Sequence, residues 1–178
     1  LEELNGHWFL RNLASGDSVE MDFANYYPVN LPDSFYISRL QDLEQVIDLS
    51  YNNVVKNFII MYTQKRRGLV EMMLGLSDYY FPIFEEMLDK HDLPMELKYL
   101  PIIESALNPV ARSRAGASGL WQFMYGTGKH MKLEINSFVD ERLDPMKSTE
   151  AAVLYLKRLY DIYGDWHLAI AAYNCGPG

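Results

Sequence analysis

Apolar residues recur at steps of three and four along most of this chain, and no stretch alternates apolar with polar as a half-buried strand would. That period permits helices and little else, so the expected fold class is all-α. Residues 1 to about 33 are broken by Gly6, Gly16, Pro28 and Pro32 and read as irregular. From Phe35 one stripe runs through Ile37, Leu40, Leu43, Val46 and Ile47. A second follows at Val54, Val55, Phe58, Ile59 and Tyr62. Lys65-Arg66-Arg67-Gly68 reads as a helix end, because cations favour the last turn and glycine the position after it.

Ser77-Asp78 predicts a new helix start with Phe81, Phe84 and Leu88 on one face. Leu93-Pro94 opens the next helix, with Glu96 in its first turn, and Pro101 is expected to kink it just before Glu104. Residues 106 to 118, rich in Pro, Ser, Gly and Arg, read as a loop. Ser148 is the expected cap of an amphipathic helix through Val153, Leu156, Leu159 and Tyr160, ended by Gly164; Trp166 to Tyr173 makes a last helix. There is no repeat and no low-complexity tract.

A chain of 178 residues, 49% hydrophobic and 13% aromatic, can bury a real core. Its net charge of −8 argues against nucleic acid as a partner and against docking on anionic lipid. No run approaches the ~18 apolar residues of a membrane span. Leu1 in place of a methionine reads as a processed or trimmed start, compatible with a removed signal or lipid anchor. Cys175 stands alone, which excludes an internal disulfide and suggests a small buried residue.

Most apparent sites fail on inspection. His7, His91, His130 and His167 are scattered and form no metal-ligand spacing, so no metal and no cofactor are expected. Gly126-Thr127-Gly128-Lys129 lacks the flanking residues of a phosphate loop, and Gly116-Ala117-Ser118-Gly119 is no nucleophile elbow. Glu104 differs. It ends the apolar run Leu100, Ile102, Ile103. By itself it reads as a solvated or ion-paired carboxylate, with Arg112 or Arg114 as the available partner. In a cleft walled by Leu100 and Ile103, however, desolvation would raise its pKa and keep it protonated, as donation to a glycosidic oxygen requires. Gln122 adds an amide able to donate and accept, the loop glycines allow close backbone approach, and the tyrosines offer flat faces for sugar rings.

Glu104-Ser105, then Gly119-Leu120-Trp121-Gln122 with Met124, then Ala171-Ala172-Tyr173-Asn174 followed by Gly176, resemble the three ordered motifs of lytic transglycosylases. The likeness covers about residues 77 to 178. It implies a lysozyme-like, goose-type helical domain with a groove for peptidoglycan glycan strands, acting in the periplasm or cell envelope. It further implies Glu104 as the sole catalytic acid, cleaving between N-acetylmuramic acid and N-acetylglucosamine to leave a 1,6-anhydromuramic end. Ser105, Gln122, Met124, Tyr173 and Asn174 would bind substrate: Ser105 orienting Glu104 or the acetamido group, Gln122 holding that group, Tyr173 bonding the reacting centre. Ser105 as a backbone cap, Tyr173 as core and Met124 as packing remain alternatives.

Trp121 stands where many relatives carry methionine, which would reshape a subsite. The chain ends just after the third motif, whereas relatives continue with more helix and often wall-binding repeats, so part of the groove is expected beyond residue 178. Residues 1 to 70 read as an extension bracing a catalytic domain of residues 71 to 178. A hydrolytic muramidase is the rival enzyme, with Glu134, Asp140 and Glu141 as candidates for its second carboxylate. A non-catalytic wall-binding module is the other, disfavoured because Glu104 and Gln122 are both present. Nothing in the sequence marks an oligomeric state.

Overall fold

The computed structural model describes residues 31 to 43 and 46 to 176. Seven α-helices are described: α1 Asp33–Gln41, α2 Asn53–Ile60, α3 Arg67–Lys90, α4 Leu100–Ser105, α5 Tyr125–His130, α6 Pro145–Tyr163 and α7 Trp166–Cys175. A π-turn at Met61–Lys65 continues α2, and short 3₁₀ turns cover Met95–Tyr99 and Glu141–Leu143. The described residues contain no strand, only three isolated bridges. The all-α expectation therefore stands; the irregular reading of the first 30 residues, and His7 with it, lie outside the described part.

Helix boundaries depart from the sequence pattern wherever a side chain was assigned a cap that packing gives to another residue. The first stripe does not form one helix: α1 ends at Gln41, and Val46 and Ile47 lie beyond it. The break at Arg66 is real, but Gly68 does not end a helix; it lies inside α3. Ser77 starts nothing either. It is buried mid-helix, and its hydroxyl donates to the Leu74 carbonyl, so α3 runs unbroken for 24 residues. Pro82 is tolerated within α3 because it and Asp78, whose carbonyl it leaves without a donor, are both exposed to water. Met73, Ser77, Tyr80, Phe84 and Leu88 make the buried face.

Pro101 does not kink a helix. The 3₁₀ turn ends at Tyr99, and the proline falls in the first turn of α4, where its missing N–H is not needed. Asp144, not Ser148, caps α6: its carboxylate accepts from the backbone N–H groups of Met146 and Lys147, while Ser148 is fully buried one turn on. Gly164 ends α6 in the left-handed conformation, and Asp165 caps α7 by accepting from Leu168 N–H. Cys175 is exposed, contrary to expectation.

The core gathers around α6. Ala151, Ala152, Val153, Leu156 and Leu159 pack against α3 on one side and against Ala169 and Ala172 of α7 on the other. The alanines let backbones approach closely, which brings α7 near the loop after α4. Trp121 fills the middle at zero exposure. Its ring meets Phe84 edge to face at 5.3 Å, and its indole N–H donates to Thr149 Oγ1 at 2.9 Å. It is a core residue, so its expected effect on a subsite is corrected. Residues 46 to 48 are stitched onto this core by Ile47, which is buried in it, and by the Asp48 carbonyl, 3.0 Å from His167 Nε2.

Candidate active site

Glu104 sits in the last turn of α4, a helix six residues long. Ala106 caps it at φ 51°, and Leu107 follows at φ 61° with its side chain fully buried. Two successive non-glycine residues in the left-handed region carry strain, and the buried Leu107 anchors the turn that holds it. The chain is thereby folded sharply back, leaving the Glu104 side chain over a cleft of about 300 Å³. Ile103 lines this cleft; Leu100 does not, being part of the core.

The opposite wall is built by residues 113 to 123. Ser113, Ala115 and Ala117 face the cleft at every second position, so Arg112 and Arg114 are not among its lining residues. Arg112 turns to Asp140, 3.5 Å away. The suggested ion pair between Glu104 and either arginine is not formed. Among the described residues Glu104 has neither an ion pair nor a side-chain hydrogen bond, and burial alone raises its pKa from 4.5 to about 7. A substantial fraction is thus protonated at neutral pH.

Gln122 lies across from it at φ 48°, in a tight turn closed by its own N–H on the Gly119 carbonyl. Its side-chain N–H₂ donates to the carbonyls of Gly119, at 2.9 Å, and Ala111, at 3.4 Å. Two carbonyl partners identify that atom as the nitrogen. Oε1 is left buried without a partner. With its nitrogen given to the chain's own carbonyls, the amide has only this buried acceptor left unpaired, which narrows the expectation that it both donates and accepts toward a ligand.

Ser105 points the other way. Its hydroxyl is shared between the carbonyls of Pro101, at 3.0 Å, and Leu120, at 2.9 Å, which ties α4 to the Gln122 turn. Tyr173, from α7, donates its O–H to the Trp121 carbonyl at 2.8 Å, and its ring packs on Tyr155 and Phe123. Burial first, and the nearby Glu104 charge second, push the Tyr173 hydroxyl well above its ordinary range, so it stays protonated. Met124, exposed, and Asn174, whose amide N–H donates to the Ile170 carbonyl, complete the rim. Ser113, Ala115, Ala117, Phe123, Thr127 and Tyr155 also line the cleft. The sequence pattern does not mark them, although the loop alternation would have found the first three.

Gly119 does not serve ligand approach as expected of the loop glycines. A Cβ on Gly119, at φ 84°, would sit 1.8 Å from the Arg142 carbonyl oxygen, so the close neighbour is the chain itself. The carboxylates proposed for a hydrolase are all engaged elsewhere. Asp140 binds Arg142 and Arg112, Glu141 binds Lys147 and the Glu134 N–H, and Glu134 accepts from Asn136. These contacts hold Asp140 and Glu141 below the usual carboxylate range, the Arg142 hydrogen bond acting most on the former and that of Lys147 on the latter. None lines the cleft, where Glu104 is the one ionisable acid among the described lining residues. The described residues include no group of three or more His, Cys, Asp or Glu able to hold a metal ion. They include no helix long and apolar enough to cross a membrane.

With a lone desolvated glutamic acid facing a fixed amide across a helical cleft, comparison with known families becomes decisive. The model of the transglycosylase SLT domain matches residues 81 to 178. The chain belongs to this family. The SLT domain is a lysozyme-like helical fold, in agreement with the helices described above. Over 118 residues the chain is 39% identical to membrane-bound lytic murein transglycosylase D of Escherichia coli strain K12, a match covering 66% of this chain and 26% of that protein. It is 41% identical over 81 residues to soluble lytic murein transglycosylase of Salmonella typhimurium, covering 42% and 12% respectively. A match at 27% identity to membrane-bound lytic murein transglycosylase F of Serratia proteamaculans covers 96% of this chain and 33% of the other. The chain thus spans about a quarter of the length of the E. coli relative.

Proposed function

We propose that this SLT domain is a peptidoglycan lytic transglycosylase working in the bacterial cell envelope, with Glu104 as its single acid and base. The observation that carries the reading is Glu104 itself: desolvated and, among the described residues, unpaired and without a second carboxylate in its cleft. Ordinary glycosidases need two carboxylates, one to protonate the leaving oxygen and one to activate water or attack carbon. Here the Glu104 proton passes to the oxygen between N-acetylmuramic acid and N-acetylglucosamine as the C1–O bond breaks. The muramic acetamido oxygen stabilises the cationic centre. The C6 hydroxyl then closes on C1 and returns its proton to Glu104, so no water is consumed and the acid is regenerated. Intramolecular attack favours this outcome over water through its effective molarity.

The site's other residues support this division of labour. Gln122 Oε1, an acceptor, suits the N–H of an acetamido group. Tyr173 and Ser105 hold the Trp121 and Leu120 carbonyls and so fix the turn that carries Gln122. Met124 and Asn174 contact the glycan at the rim. We assign the catalytic domain to residues 71 to 178; of the described segment before it, Ile47 and Asp48 support a bracing role. The reaction uses neither metal nor cofactor.

Digestion of purified sacculi, followed by mass spectrometry, tests the reading. The expected products are muropeptides lighter by one water than their lysozyme-released counterparts, with no new reducing ends. Reducing-end muramic acid as the main product would overturn it in favour of a hydrolase. Binding without any product would point to a wall-binding module.

A further inference from the structure

Arg142 was passed over in the sequence, yet it is buried at 5% exposure behind the wall that faces Glu104. All of its guanidinium nitrogens are used. Nε and Nη2 donate in a fork to Asp140 Oδ1 and Oδ2, at 2.9 and 2.8 Å. Nη1 donates to two backbone carbonyls, those of Gly116 at 2.9 Å and Phe123 at 3.1 Å. One of those carbonyls lies within the wall and the other at its far end: Ala115 and Ala117 flank the first, Gln122 and Met124 the second, and all four line the cleft. The backbone carbonyl of residue 142 occupies the space beside Gly119 that a Cβ would need, and a Cβ on Gly128 would come within 2.9 Å of Ile135 Cδ1 and 3.2 Å of Arg142 Cδ. Both glycines therefore answer to the chain's own packing around residue 142.

We infer that Arg142 is a positioning residue for the cleft: its guanidinium ties Gly116 and Phe123 of the 113-to-123 wall together and thereby fixes the position of the Gln122 amide in the cleft lining. The inference rests on the reading of the cleft as the active site. A planar fork is needed, since one nitrogen must serve two carbonyls while the other two hold a carboxylate. Lysine offers a single point of attachment and cannot do both. A wall displaced by even about 1 Å is expected to cost up to ~100-fold in rate. Arg142 acts through the wall and touches no substrate.

The test is a cycle of variants assayed on soluble glycan fragments at a temperature where circular dichroism shows each to be folded. Arg142→Lys is expected to lower kcat/KM by about tenfold or more. In the Gln122→Ala background the same change is expected to cost no more than about twofold, because the residue it positions is already gone. Asp140→Asn, which keeps the arginine and weakens one arm of its fork, should show a smaller loss with the same dependence on Gln122, and carries the test if Arg142→Lys does not fold. A rate within about twofold of wild type for the folded Arg142 variant, or losses that multiply in full with those of Gln122→Ala, would overturn the inference. Glu104→Gln, assayed alongside, separates the two claims. Its inactivity beside a fully active Arg142→Lys overturns the positioning role alone, whereas an active Glu104→Gln overturns the active-site reading on which it depends.

Discussion

Glu104 owes its character to what is missing around it. Among the described residues it has no ion-pair or hydrogen-bond partner, so burial decides its protonation, and the proton that chemistry needs is held by desolvation. Glu104→Gln should keep the cleft and lose roughly 10²–10⁴-fold or more in rate, measured by clearing of a peptidoglycan suspension. The same burial has a stability consequence. The folded chain retains a proton near pH 7 that the unfolded chain releases around 4.5. This contribution to stability is full below the unfolded value and is lost as pH climbs through about 7. Urea unfolding at about pH 8.5 should therefore find Glu104→Gln more stable than wild type, by up to about 3 kcal/mol, with the gap closing toward about pH 4.5. The activity limb on the alkaline side should fall near 7 for the same reason.

Individual elements hold the site through short-range devices that can be removed one at a time. Gly119→Ala places a methyl group on the Arg142 carbonyl and forces alanine to φ 84°. The cost should be about 2 kcal/mol or more by chemical denaturation, with activity falling further than stability because the Gln122 turn starts at this residue. Trp121→Ala empties the space between α3 and α6 and leaves Thr149 Oγ1 without its donor. A loss of about 3–5 kcal/mol is expected, an amount that threatens folding itself. Asp144→Ala should cost only ~1 kcal/mol, because α6 is held mainly by its buried face once its cap is gone.

Across the whole molecule, the net charge of −8 and a cleft with no lysine or arginine among its described lining residues lead the proposed function to an expectation: glycan affinity should rest on stacking and neutral hydrogen bonds. Binding of Glu104→Gln to purified sacculi should change little between low and high salt, since screening acts on charge pairs the cleft does not offer. A steep loss with salt would instead implicate Arg112 and Arg114, which lie on the outer side of the wall.

The helical class, the loop at 106 to 118, the Gly164 stop and the isolation of Glu104 in an apolar run were legible in the chain, because each depends on local period or on a residue's own chemistry. The resemblance carried by the three motifs named Glu104, Gln122, Met124, Tyr173 and Asn174, which line the cleft, and Ser105, which does not. What local pattern could not supply was orientation and partnership. Ser77 and Ser148 look like caps until burial turns them inward. Trp121 looks like a subsite residue until Phe84 and Thr149 close on it, and Gln122 looks ambivalent until two carbonyls claim its nitrogen. Arg142, silent in the sequence, joins Gly116, Phe123 and Asp140 only once the chain is folded. A side chain's type and spacing are carried by the sequence; which of its bonds are already spent is decided by neighbours 15, 28 or 52 residues away, as for Ser105, Trp121 and Tyr173, and only packing brings those together.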